Sequence, residues 1–199
     1  MIANRHEDLN ALSDEAFRQR FRENLNNPGK GILFYGDWSK IEVDEVPLSE
    51  LARRAGRDPL DFFFELPLDR QLIAKLFQNN DAGVAPLLKD EGGVIALSDA
   101  GAHLIFLCDA GFGLHFLGHW VRETGHFSLQ EGIRKLTSEP AQRFRIPERG
   151  RLVEGAPADL LLFDPANVGI SKPLPRQDLP GGGTRMVRES RGVHGVWVN

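Results

Sequence analysis

Cysteine is almost missing from this sequence. Cys108 is the only one in 199 residues, which excludes a disulfide within the chain and any cysteine-based zinc cluster. Long apolar runs are missing too, and none approaches the roughly 20 residues needed to span a bilayer. There is no excess of positive charge: 28 Asp and Glu outnumber 24 Lys and Arg, for a formal net charge of −4. Nothing in the bulk electrostatics therefore draws the chain to nucleic acid or to an anionic membrane. No secretory leader is expected, because His6, Glu7, Asp8 and Asn10 stand where an apolar stretch would be required. A cytoplasmic location is the expectation left by elimination. Histidine is scarce and unevenly spread, with His6 the only one before His103.

The composition itself, 41% hydrophobic and 26% charged, is that of an ordinary globular protein able to bury a good core as one domain or two small ones. Ser13 and Asp14 read as a helix start, with Phe17, Phe21 and Leu25 recurring at four-residue spacing behind them. Residues 31–35 and 38–43 read as short strands. Pro47 opens a helix that stops at Gly56, and Asp58-Pro59 supplies a cap with proline at the first helical position. Residues 72–88 read as helix with a break near Asn79-Asn80-Asp81. Phe112, Phe116, Leu117, Trp120 and Val121 mark one face of a further helix, with His115, His119 and Arg122 on the other. Ser128 and Glu131 form a capping box, ahead of a stripe of Leu129, Ile133 and Leu136. After Gly150 the texture turns to β: a short strand and turn over 150–155, a strand between Asp159 and Asp164, and a last one around Val193, Val196 and Val198. Residues 169–186, rich in Pro and Gly, read as a long loop.

Four blocks resemble a known family, in family order. Residues 94–103, VIALSDAGAH, form an unbroken apolar tetrad that stops at a turn; they resemble the last barrel strand of metal-dependent amidohydrolases, which ends in a catalytic aspartate. Residues 128–141, SLQEGIRKLTSEPA, resemble the helix after that strand. Residues 149–165, RGRLVEGAPADLLLFDP, are similar to the return of the chain into a small β-domain, and 195–199, GVWVN, to its terminal strand. The branch resembled is that of the N-acyl-D-amino-acid deacylases, or D-aminoacylases, over roughly residues 47–199.

The resemblance implies an α/β fold, the C-terminal part of a (β/α)8 TIM barrel at residues 1–148 with the final strand ending at Asp99, and strands of a small β-sandwich at 149–199. A whole barrel of this kind needs about 250 residues, and the early His-x-His pair and later ligands have no counterpart here. The chain is expected to be a truncated product, one half of a split enzyme or an expressed fragment. It would work with a missing N-terminal half or as a homo-oligomer, and alternatively as a non-catalytic subunit that completes a barrel with another chain. Zinc or another divalent metal is implied for the complete enzyme, with none bound by this chain alone, and the implied partner is a small-molecule amide substrate.

Read without the resemblance, Asp99 caps the turn that follows it, as Asp often does. With the resemblance it becomes general acid–base and metal contact in the complete enzyme. His103, four residues on, is either a substrate-binding group at the barrel mouth or an exposed loop histidine. His115 and His119 have an i,i+4 spacing that can serve a metal, but Phe116 stands where a metalloprotease would carry Glu; two polar-face histidines are the plainer reading. Cys108-Asp109 lacks the partners of a nucleophile. Asp159 and Asp164 are expected at turns, and Arg122, Arg134 and Arg143 at the surface or in packing. Where typical D-aminoacylases carry a His-Pro-Arg segment, residues 106–114 here hold neither Pro nor Arg. A bidentate arginine is the usual grip on a substrate carboxylate, so amide hydrolysis is implied but the N-acyl-D-amino-acid substrate is not.

Overall fold

The computed structural model describes residues 12–25, 36–67, 70, 72–74, 80–96, 98–101, 104 and 108–199. The chain divides between Asn80 and Asp81 into two units, each with an apolar core of its own.

In the first unit, helix α1 (Glu15–Leu25) starts where Asp14 accepts a hydrogen bond from the Ala16 amide at 2.9 Å. Its four-residue apolar spacing delivers Phe17 and Phe21 to Phe64, the Phe21 and Phe64 rings meeting edge-on at 5.3 Å. The strand expected over 38–43 begins only at β1 (Ile41–Val43). Asp37 binds the amide and hydroxyl of Ser39 and winds Trp38–Lys40 into a 3-10 turn instead. A tight turn leads to β2 (Val46–Pro47), then α2 (Leu48–Arg54). Helix α3 (Pro59–Glu65) is capped by the Asp58 carboxylate on the amides of Leu60 and Asp61. Leu48, Leu60, Phe63 and Phe64 join Phe21, Ile41 and Val43 in the core; burying each such side chain stabilises by about 1.5–3 kcal/mol.

The helix expected over 72–88 is corrected at its start. Leu72–Ala74 is strand β3, paired antiparallel to β1 with Glu42 opposite Ile73, in the order β2-β1-β3. The open edge of β1 takes residues whose local pattern suits helix equally well, so tertiary pairing overrides periodicity.

The second unit opens with α4 (Asp81–Lys89). Residues 94–96 follow, half-buried and without strand pairing, in place of the expected strand; Ile95 leans on the local core and residue 97 lies outside the described residues. Helix α5 (Phe112–His115) then widens into π-helical turns over Phe116–Glu123, closed by the Thr124 amide donating to His119 O five residues back. Residues four apart line up in columns along this helix. Phe116 and Trp120 enter the core with Ala85 and Phe127. Leu117 and Val121 face Gly132, where an added Cβ would lie 2.6 Å from Val121 Cγ2. Gly118 and Arg122 face the backbone at Val168; a Cβ on Gly118 would sit 2.9 Å from Val168 O, the carbonyl to which Arg122 donates.

The Ser128–Glu131 capping box forms and starts α6 (Leu129–Leu136). The buried residues of α6 are Gly132 and Lys135, not the expected stripe; Leu129, Ile133 and Leu136 are only half-buried. Lys135 is tolerated there because its ammonium reaches Glu139 at 3.3 Å, on α7 (Ser138–Arg143).

Residues 150–155 turn without a strand, which corrects that expectation: the stretch has no neighbour to pair with among the described residues. Strand β4 (Leu160–Phe163) pairs antiparallel with the last strand, β9 (Val193–Trp197). Asp164 serves a turn as expected, accepting from the Ala166 amide and the Asn167 side chain, whereas the Asp159 carboxylate accepts from the Asn199 amide 40 residues on and pairs with Arg149.

The long loop expected over 169–186 is instead strand β5 (Gly169–Ile170) and a hairpin of β6 (Leu174–Leu179) and β7 (Gly183–Val187), with Pro180–Gly182 at the tip. β5 pairs with β8 (Ser190–Arg191). The hairpin escaped the sequence because β6 buries almost nothing and so shows no apolar alternation. Polar cross-strand pairs line it instead, with the Arg185 guanidinium forked onto Asp178 at 2.7 and 2.9 Å.

Candidate functional site

Asp99 lies exposed in an irregular segment, residues 98–101, that turns through Gly101 at φ 94°. Ser98 Oγ accepts from the Ala100 amide at 3.2 Å and shapes the turn. His103, the second expected site residue, lies outside the described residues. Among the described residues no group of three His, Cys, Asp or Glu side chains could hold a metal ion. Asp99 is therefore not joined there by the further ligands that a catalytic metal requires.

The histidines of the long helix are brought together. His115 and His119 stack nearly parallel, centroids 5.2 Å apart and planes 9° apart. His119 Nε2 lies 2.9 Å from Asp81 Oδ2 at the start of α4, and its Nδ1 lies 3.3 Å from Glu123 Oε2. Trp120 meets the His119 ring edge-on. Desolvation holds the His115 pKa below that of an ordinary histidine, helped by the charges of His119 and Arg188. The Glu123 carboxyl is held below the usual range by the hydrogen bond from Arg122, with a further contribution from that of His119. Sequence reasoning placed both histidines on one polar face but missed Asp81, 38 residues from His119. Only the placement of α4 against the long helix reveals that partner.

Arg188 approaches from beyond β7, donating to the carbonyls of Cys108 and Ser171 at 2.6 and 3.2 Å. Cys108 is free and buried. Arg134 pairs with Glu139, and Arg143 donates to the Glu91 carbonyl, as surface and packing roles require.

Among the described residues, Asp99 lines neither of the two best-formed open cavities. One of about 480 Å³ runs along α6 past Leu129, Ile133, Arg134 and Arg151. The other, about 520 Å³, lies in the first unit between Val43, Leu51, Phe62 and Arg70. No helix among the described residues is long and apolar enough to cross a membrane.

A model of the amidohydrolase family matches residues 16–198, nearly the whole chain. The chain belongs to the amidohydrolase family. Several of its curated relatives are deacylases, the branch that the sequence blocks resemble. N-acyl-D-aspartate deacylase of Alcaligenes xylosoxydans xylosoxydans is 39% identical to this amidohydrolase-family chain over 79 residues, 40% of this chain and 14% of the relative. D-aminoacylase of the same organism is 35% identical over 83 residues, 42% of this chain and 15% of the relative. A solved N-acyl-D-glutamate deacylase of Bordetella bronchiseptica, complexed with zinc and a phosphonate inhibitor, aligns at 20% identity and a TM-score of 0.41. That alignment covers 82% of this chain and 34% of the other. The chain thus spans about a third or less of the length of these relatives.

Proposed function

We propose that the complete protein hydrolyses a non-peptide C–N bond, an amide or N-acyl amine, and that Asp99 is its general acid–base. The observation that carries this reading is the family match over residues 16–198, together with the placement of Asp99 at the end of the block resembling the last barrel strand. A carboxylate there accepts the proton of an attacking water and later returns it to the leaving nitrogen. Asp99 is solvent-exposed, so a water can reach its carboxylate directly. In the same reading residues 1–148 are the partial barrel, 149–199 belong to the small β-domain, His103 contacts substrate, and the protein acts in the cytoplasm.

The described residues do not fit the divalent metal that the family resemblance implies, since no ligand cluster forms among them. Further ligands would have to come from outside these residues, so this chain by itself is expected to bind no metal and to turn over no amide. Elemental analysis of the purified chain, with its oligomeric state measured on the same sample, tests this. Absence of metal in an oligomer agrees with a part that needs a partner. Stoichiometric zinc that is lost on Asp99→Ala would overturn it.

A second reading is a non-catalytic subunit that completes a barrel with another chain. Leu160, Leu161 and Leu162 of β4 and Val196 and Trp197 of β9 are all more than a third exposed, on both faces of the ribbon, and exposed apolar surface of this kind favours pairing with another chain. A stable monomer in solution would count against this second reading and against the homo-oligomer alike.

A further inference from the structure

The long helix and α4 are tied at one polar point. Asp81, the first residue of α4, reaches His119 Nε2, while the other nitrogen of the same ring faces Glu123 on its own helix. A neutral imidazole donates through one nitrogen and accepts through the other, and both partners here are carboxylates, which only accept. His115 lies flat against that ring at 5.2 Å. His115, His119 and Glu123 follow one another at four-residue spacing and so share one face of the long helix.

The groups facing His115 come from three directions. His119 and Glu123 belong to its own helix, Asp81 to α4, and Arg188 to the chain beyond β7. Strand β5, which also packs against α5, contributes Gly169 and Ile170 and no charge. The Arg188 guanidinium is held in place by the carbonyls of Cys108 and Ser171. A proton on His115 would therefore place a cation in face contact with the second imidazole and near a fixed guanidinium. The two carboxylates that serve His119 would then have two rings to satisfy.

We propose that the His115–His119 stack is an acid-sensitive latch that holds the first turn of α4 against the long helix. When His115 takes up a proton the stack opens, the carboxylates of Asp81 and Glu123 are divided between two rings, and the first turn of α4 loosens. The remainder of α4 stays in place, because Val84, Ala85 and Leu88 are packed with Phe116 and Trp120 in the core. The two helices joined by the latch flank residues 90–111, the segment that carries Asp99. The latch stands on this chain's own geometry and does not depend on the functional reading above.

The sign follows from the direction of the shift. His115 is harder to protonate in the folded chain than in the unfolded one. Its contribution to stability is therefore complete above the ordinary histidine value of about 6.5 and is lost as the pH falls from there toward the lowered folded value.

Two measurements on the full chain test the latch. NMR titration of the wild-type imidazoles should give His115 a midpoint below the ordinary histidine value, and amide exchange at residues 81–84 should accelerate across that same titration. The urea midpoint should fall further between pH 7.5 and pH 5.5 in the wild type than in His115→Gln, which has no ring to protonate. Equal falls in the two proteins, or a His115 midpoint at or above the ordinary value, would overturn the proposal. Should His115→Gln fail to fold, the wild-type titration and exchange data decide alone.

Discussion

The long helix and the β4–β9 ribbon carry similar numbers of large apolar side chains and treat them in opposite ways. On the helix, Phe116, Leu117 and Trp120 are buried, and every column has an assigned neighbour: α4, α6, or the backbone at Val168. On the ribbon, Leu160, Leu161, Leu162, Val196 and Trp197 stay exposed, and Val198 just beyond them is 83% exposed. An apolar pattern therefore shows that a segment is made to be covered, but the cover has to be found elsewhere. A two-stranded ribbon has two faces and two edges, and pairing β4 with β9 satisfies only one edge of each strand.

The sharpest way to break this contrast is to empty the covered side. Trp120→Ala removes the largest buried side chain of the helix core, 7% exposed in the folded chain. It should cost about 3–5 kcal/mol in urea denaturation; a loss under 1 kcal/mol would mean that the helix is no better covered than the ribbon. A smaller effect is expected at the start of α6. Ser128→Ala leaves the Glu131 amide without its cap and should cost about 1 kcal/mol, with Glu131 losing the hydroxyl that chiefly holds its carboxyl below the usual range. The smallest effect belongs to the ribbon. Leu161→Lys, at a position 44% exposed, should change the unfolding free energy by no more than about 0.5 kcal/mol. Sedimentation of the same variant should show weaker self-association than the wild type if the patch is an interface between chains. A large loss of stability would instead show that Leu161 is covered within the chain.

What was legible in the sequence follows the range of the interaction that decides each element. Caps act over two or three residues, and Asp14, Asp58 and the Ser128–Glu131 box all form where they were read. Strand β4 was legible from an apolar run between Asp159 and Asp164, and α1 from its aromatic spacing. The β6–β7 hairpin was not, because Arg185 and Asp178 hold it in place of apolar alternation. Leu72–Ala74 was misread because its partner, β1, lies about 30 residues earlier in the chain. The stripe on α6 was misread because the long helix chooses the buried face: Gly132 packs against Leu117 and Val121, 15 and 11 residues earlier.

For the candidate site the division is sharper. The block around Asp99 was legible as a family motif, and the match over residues 16–198 agrees on the family. The contact of Asp81 with His119 could not be read, because 38 residues separate the two and no periodicity links them.

By itself, then, the sequence determined the local starts and stops, the family, and which residue types are available for chemistry. These depend on side chains close together in the chain or on motifs read in order. Only the tertiary structure decided which strands pair, which face of α6 is buried and which carboxylates meet which imidazole. Those outcomes turn on residues distant in sequence competing for the same partner, and neither pattern nor propensity ranks such competitors.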